Sequence, residues 1–212
     1  MINILVLYPE HLNLNGDAAN AGVLARRLNW FGFDAAIEFH HPGEQLPTAR
    51  PDFLILGHGS DAAWSALHEP LIQDWRRIRR WIDDGVHGLA INSGQELLHG
   101  IEFGVFPPGL ERGERKSHFR VVEADCIEAG AKLLGYQNSE FNAPGVERYN
   151  NFIGTQLHGP VLAKNGWLAD WFIARITGEA HLTPSPNASS YLEQTKKFET
   201  EIWTLESELA DE

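Results

Sequence analysis

Three short stretches of this chain hold residues whose types and spacing could do chemistry. Gly57-His58-Gly59-Ser60-Asp61 follows one apolar run, Gly88-Leu89-Ala90-Ile91-Asn92-Ser93-Gly94-Gln95-Glu96 contains another, and His158 lies where the run Phe152 to Leu157 ends. An imidazole at a strand end can move protons, although in isolation such a histidine is usually structural, and glycines in tight turns can persist only because the backbone there tolerates no Cβ strain. The only thiol, Cys126, is preceded by Glu123 and Asp125 and lies after the expected strand Phe119 to Ala124. Nearby acids raise a thiol pKa, so Cys126 reads as an ordinary semi-buried cysteine and not as a nucleophile. A single cysteine excludes an intrachain disulfide framework and a multi-cysteine zinc site. The ten histidines form no HExxH or similar ligand spacing, so no metal and no cofactor is expected, and the adjacent pair His40-His41 reads as the close of a strand.

The elements that must position these residues are read from periodicity. Apolar runs at Ile2 to Tyr8, Ala35 to Phe39 and Phe53 to Gly57 alternate with helical segments, the pattern of a parallel sheet. Ala21, Leu24, Leu28 and Phe31 share one helix face that Gly32 closes. Leu71, Trp75, Ile78 and Ile82 share another, with Pro70 suited to the first turn and Gly85 to the stop. The four arginines at 76, 77, 79 and 80 flank that stripe and read as a solvated face beside Asp74, Asp83 and Asp84. A strand is expected over Gly88 to Asn92, then β-rich segments at Phe119 to Ala124, Leu133 to Tyr136 and Phe152 to Leu157, and a helix over Leu168 to Ile176.

Beyond Gly178, Pro184-Ser185-Pro186-Asn187 marks a linker, so residues 1–178 read as one domain and 179–212 as linker and acidic amphipathic helix. Phe198, Ile202, Leu205 and Leu209 fall at helical spacing among glutamates. That helix is expected to pack back on its own domain, with docking on a partner chain as the alternative.

At 212 residues the chain suits one α/β domain with added elements. A net charge of −12 opposes binding to a nucleic-acid backbone. No apolar run reaches the roughly 18 residues of a membrane-spanning helix, and the N-terminus reads as a buried strand and not as a signal peptide, so a cytoplasmic location is expected.

Four segments, in order, resemble the class I glutamine amidotransferases of the GatD and cobyric-acid-synthase-like kind. Leu12-Asn13-Leu14-Asn15-Gly16-Asp17-Ala18-Ala19-Asn20 is similar to the family's LN-x-YGD-x-GN run, and Leu24 to Leu28 follows it as in the family. Leu56 to Asp61 resembles the family's GGG-[SQE]-D turn, Gly88 to Glu96 stands in the place of the nucleophile elbow, and Leu157-His158-Gly159-Pro160-Val161-Leu162-Ala163-Lys164-Asn165 is similar to the segment that supplies the catalytic histidine. The resemblance implies a flavodoxin-like, doubly wound, mostly parallel sheet with helices on both faces. It implies glutamine hydrolysis that supplies ammonia to a MurT-type ligase amidating the lipid II stem peptide, a link to peptidoglycan. It also implies His158 as general base, and oxyanion donors from Gly57, His58 and Gly59 and from Ser93, with Gly94 in the elbow and Arg115 matching a glutamine-binding arginine.

The chain departs from the family at the elbow. Anchored on Gly88 and Gly94, the family's C-x-G-x-Q places Asn92 at the cysteine position and Glu96 at the glutamine position. Gly135-Tyr136-Gln137-Asn138-Ser139 likewise stands where the family reads GFENH. An amide cannot act as the nucleophile. Two classes of function follow: a domain without glutaminase activity that binds a partner or a small ligand such as glutamine or glutamate, or a working hydrolase or amidotransferase using Ser93 with His158.

Overall fold

A computed structural model describes residues 1–210 of the chain. The strands β1 (Ile2–Leu7), β3 (Phe53–Leu56) and β4 (His87–Ile91) are almost wholly buried, which is what near-continuous apolar runs need when both faces of a parallel sheet are covered. With β2 (Ala35–His40), β7 (Val146–Tyr149) and β8 (Phe152–Thr155) they form a six-stranded sheet in the order β2-β1-β3-β4-β8-β7. All pairings are parallel except the edge pair β7/β8. The short edge strand β7 has no counterpart in the sequence reading. A second, antiparallel sheet joins β5 (Arg112–Glu123), β6 (Lys132–Phe141) and β9 (Leu157–His158). The hairpin β5/β6 is longer than its apolar stretches indicate, because Arg112 to His118 extends it as exposed polar strand.

Two apolar layers flank the main sheet. One holds Leu24 and Leu28 of α1 (Ala19–Trp30) and Phe172 of α5 (Gly166–Thr177) against Ile4, Val6 and Phe53. The other sets Leu71, Ile78 and Ile82 of α2 (Asp61–Asp83) against Leu5, Leu7 and Leu54. Gly32, at φ +84°, closes α1 as its position in the sequence implies. The expected start of α2 at Pro70 is corrected: the helix begins at Asp61, capped by the Ser60 hydroxyl accepting from the Ala63 N–H at 3.2 Å, and Pro70 lies inside it. A capped first turn and the buried Leu67 outweigh the one backbone bond that a proline removes. The short α3 (Ser93–Leu97) follows β4, and α4 (Val161–Lys164) follows β9. No described helix is long and apolar enough to cross a membrane.

The last helix, α6 (Ser189–Ala210), packs against β5, β6 and α4. Its orientation differs from the sequence expectation. Phe198, Leu205 and Leu209 do not turn inward; they are 61%, 64% and 51% exposed. The helix is held instead by Leu192, by Trp203 Nε1 donating to the Lys164 carbonyl at 2.9 Å, and by ion pairs Glu199–Arg27 at 2.9 Å and Glu206–Lys164 at 2.6 Å. Arg27, 2% exposed, also pairs with Asp170 of α5 at 2.8 Å and so ties α1, α5 and α6 together.

Removing one side of a buried ion-pair group leaves its partners desolvated and unpaired. Arg27→Met should therefore cost about 3 kcal/mol in urea unfolding. Adding Asp170→Leu and Glu199→Leu should recover most of that loss, whereas a change below about 1 kcal/mol for the single variant would contradict the role given to Arg27.

Candidate functional site

The loops that follow β1, β3 and β4, and the β8–β9 segment, meet at the carboxyl edge of the main sheet, where open α/β sheets bind ligands. Asn92 stands between β4 and α3 with φ 48° and ψ −112°, a sparsely populated conformation for a residue with a Cβ. It is 2% exposed and lies one residue past β4, at the turn into α3, and is not the last residue of the strand. Holding a non-glycine there costs on the order of 1–3 kcal/mol, which the surrounding bonds must offset. The Asn92 N–H donates to the Thr155 carbonyl at 2.7 Å, and its side-chain Nδ2 donates to the carbonyls of Gln156 at 3.2 Å and Asn138 at 3.4 Å.

His158 reaches the same point from β9. Its Nε2 lies 3.1 Å from the Asn138 carbonyl, which must accept, so Nε2 carries the proton and Nδ1 is left to accept from the Asn15 side chain. Asn92 and His158 thus share one carbonyl oxygen, and their side-chain nitrogens are no farther apart than those two bonds laid end to end. Burial lowers the His158 pKa, while the bond to Asn138 acts in the opposite sense. Both ring nitrogens are engaged within the protein.

Ser93 is placed differently from the sequence reading. Its Oγ accepts from the Gly59 N–H at 3.1 Å and from Trp64 Nε1 at 2.8 Å, and its proton faces either the Gly59 carbonyl at 3.1 Å or His58 Nδ1 at 2.8 Å. The imidazole beside Ser93 is therefore His58, which corrects the pairing of Ser93 with His158. His58, edge-on to His158 with ring centroids 4.8 Å apart, is pushed down to about 4 by desolvation and then by the neighbouring His158. A neutral imidazole of so low a pKa is a weak base for a serine whose oxygen already has a full set of partners.

Two of the expected oxyanion donors are already engaged within the protein. The His58 N–H donates to Asp17 Oδ2 at 2.9 Å, and the Gly59 N–H is taken by Ser93. Gly57 and Gly94 are glycines because backbones meet there: a Cβ on Gly57 would lie 2.0 Å from the Leu12 carbonyl oxygen, and one on Gly94 would lie 2.7 Å from the Gly57 and Leu56 carbonyl oxygens. Neither has a positive φ, so close approach and not turn conformation is the reason.

Asp17, fully buried, is the residue that sequence reasoning passed over. One carboxylate oxygen accepts from His58, the other from the Gly159 N–H at 3.0 Å. Asn20 adds bonds to the Gly159 carbonyl at 3.2 Å and from the Leu162 N–H at 2.9 Å. Both residues lie in the Leu12 to Asn20 run, whose density of Asn, Gly and Asp is the signal that could have found them. Burial pushes the Asp17 pKa up to about 6, against the lowering effect of the two N–H donors.

Beside the elbow opens a cleft of about 730 Å³ whose wall includes Asp61, Trp64, Ser93, Glu96 and Phe141. Glu96 accepts from the Ser139 hydroxyl at 2.5 Å, and burial raises its pKa. Arg115 is not in the cleft wall: its guanidinium pairs with Glu140 at 2.9 Å and touches the Asn138 side chain at 3.1 Å. Cys126 is exposed and not semi-buried, far from these residues in the chain, and its thiol pKa is raised by partial desolvation and then by Glu147 and Asp125. Among the described residues no cluster of three or more His, Cys, Asp or Glu side chains could hold a metal ion.

The chain is 23% identical, over an alignment of 197 positions that covers 78% of this chain and 80% of the relative, to the GatD subunit of a glutamine-hydrolysing lipid II isoglutaminyl synthase of Staphylococcus aureus (strain N315). A solved glutamine amidotransferase of Thermotoga maritima superposes with a TM-score of 0.53 at 17% identity, covering 96% of this chain and 94% of that one. A chain of the Thermotoga maritima PurLQS structure gives 0.49 at 17% identity, covering 82% and 96%. No protein-family model matches. The fold is that of the class I glutamine amidotransferases, a mixed α/β structure on a mostly parallel sheet, and the sequence similarity to GatD is weak.

Asp17 also gives the site a pH signature. A carboxyl whose folded pKa of about 6 exceeds its unfolded value contributes stability that is fully present below about pH 4 and is lost as pH rises through about 6. His58, depressed to about 4, contributes the opposite slope between about pH 4 and 6.5. Asp17→Asn should be less stable, because its amide donates where an acceptor is needed. It should also lack the Asp17 slope, so its unfolding free energy should rise more steeply with pH between 4 and 6 than that of the natural chain; parallel curves would refute the assignment.

Proposed function

We propose that the chain is a glutamine amidotransferase-like domain that binds a glutamine-like ligand beside the elbow without hydrolysing it, and that serves an ATP-using ligase as a cytoplasmic subunit. The observation that carries this reading is the elbow itself: Asn92 keeps the strained conformation and convergence with His158 that an attacking residue needs, yet its amide is spent on two carbonyls. In this reading Asn92 fills the position of the family cysteine. The relative's name describes a subunit of a lipid II isoglutaminyl synthase, which supports a partner of the MurT type and a role in peptidoglycan amidation.

The cleft's chemistry supports a choice between ligands. Asp61 and Glu96 contribute acid, and no lysine or arginine stands in its wall. An α-ammonium group is favoured there and a second carboxylate is opposed, so glutamine fits better than glutamate. Ser93 holds the Gly57 to Gly59 turn to the elbow and Trp64 to both, a structural part that needs no reactivity.

In calorimetric titration glutamine should bind more tightly than glutamate, and Glu96→Gln should narrow the difference; equal or reversed affinities would contradict the ligand assignment. The chain should release no ammonia from glutamine. Ser93→Ala should cost about 2 kcal/mol of stability through the N–H donors it leaves unpaired. Glutaminase turnover in the natural chain that Ser93→Ala removes while the fold persists would overturn the non-hydrolytic reading.

A further inference from the structure

The main sheet ends at β2 in an open edge. In the parallel pairing with β1 the Ile2 N–H donates to the Asp34 carbonyl at 2.7 Å and the Tyr8 N–H to the His40 carbonyl at 2.8 Å, so the main-chain groups of the even-numbered residues turn inward. Those of Ala35, Ile37 and Phe39 turn outward, and among the described residues no backbone hydrogen bond reaches them. Proteins commonly blunt such an edge with lysine, proline, a bulge or a very short strand. The opposite edge is blunted in that way, since β7 has four residues and carries Glu147 and Arg148. β2 has six residues, with Glu38 as its one carboxylate and neither lysine nor proline. Ile37 and Phe39 share one face of the strand and are 38% and 48% exposed, so the face beside the edge is open as well.

Main-chain geometry selects the occupant. An antiparallel ladder forms its bonds where outward-facing residues oppose one another, so two copies of β2 can pair only about a two-fold axis that passes through a residue. The usable edge is closed at both ends. The Phe33 N–H is spent on the Leu28 carbonyl at 3.0 Å, and the His41 N–H and carbonyl are both spent on Glu44, at 3.1 Å each. Only an axis through Ile37 pairs all three outward residues, Ile37 with its own copy and Ala35 with Phe39 on either side. That register also sets each Phe39 ring against a small Ala35, with Glu38 across from Ala36 and Asp34 across from His40. An axis through Glu38 would oppose Glu38 to itself, and one through Ala36 would oppose Asp34 to Glu38. With the axis at Ile37 the two Glu38 side chains are only diagonal neighbours, roughly 7 Å apart, and Arg50 lines the same small cavity as Glu38. The net charge of −12 on each copy is screened beyond about 8 Å at physiological ionic strength. We propose that β2 pairs antiparallel with β2 of a second copy about an axis at Ile37, joining two six-stranded sheets into one. This edge is independent of the elbow site.

The test uses the full chain with Cys126→Ser as background, so that an introduced thiol is the only one. Sedimentation velocity at physiological ionic strength should show a dimer that grows with concentration. Ile37→Lys sets two ammonium groups against each other at the axis and should weaken the dimer at least tenfold. Hydrogen-bonded antiparallel partners hold their Cα atoms about 5.5 Å apart, within disulfide reach. With copper phenanthroline as oxidant, Ile37→Cys should therefore crosslink to itself at least tenfold faster than Phe39→Cys. Phe39 is the more exposed of the two, so random collision would give the reverse order. A mixture of Ala35→Cys and Phe39→Cys chains should crosslink to each other. A monomer at every concentration overturns the proposal, as does a dimer that Ile37→Lys leaves intact or crosslinking at Phe39→Cys as fast as at Ile37→Cys. Should circular dichroism show that Ile37→Lys fails to fold, the crosslinking rates decide alone by the same criteria.

Discussion

The site depends on one buried carboxylate. Asp17 has no exposed surface and bonds at once to the turn after β3, through the His58 N–H, and to the turn after β9, through the Gly159 N–H. Those turns come from distant parts of the chain, and each adjoins or carries an imidazole, His158 at the end of β9 and His58 in the turn after β3, whose rings then meet edge-on. A buried acceptor with two N–H donors is a strong and directional tie, because an unpaired donor at either end would bear its full desolvation cost. Asn20, three residues on, repeats the device toward α4. The elbow is set against this frame by close approach of backbones at Gly57 and Gly94.

Within that frame the polar groups are engaged with one another. His158 is held between Asn138 and Asn15, Ser93 among Gly59, Trp64 and His58, and Asn92 between two carbonyls. A hydrolytic site needs a free nucleophile and a base with an open nitrogen. The polar groups at the elbow are thus spent on holding its shape, which is what the proposed non-hydrolytic reading rests on.

Much of the frame was legible in the sequence, for physical reasons. Strands buried on both faces of a parallel sheet must be runs such as Ile2 to Leu7 and Phe53 to Leu56, so the first parallel strands and their order could be read directly. The expected single strand Phe152 to Leu157 is instead divided into β8 of the main sheet and β9 of the second sheet, a break that the run itself does not reveal. The start of α2 was misplaced because Pro70 is locally a helix-starting signal, and only the Ser60 cap and the burial of Leu67 show otherwise. The rotation of α6 was hidden for a different reason. Arg27 and Glu199 are separated by 172 positions, and no local periodicity reveals an ion pair across that distance. The partners of Ser93 and the role of Asp17 likewise arise only when three turns meet, although the Asn-Gly-Asp run signalled a tight and polar loop.

The central claim is that the elbow retains the geometry of an attacking residue but not the attacking group. The most direct measurement is intact-mass spectrometry after exposure to a chloroketone analogue of glutamine, with Cys126→Ser as background to remove the exposed thiol. The account predicts no adduct on the Cys126→Ser chain and a single adduct when Asn92→Cys is added, mapped to position 92. An adduct on Ser93 without Asn92→Cys would show a working nucleophile at the elbow. Failure of the Asn92→Cys chain to be labelled would show that the geometry is not that of an attacking residue, and either result would contradict the claim.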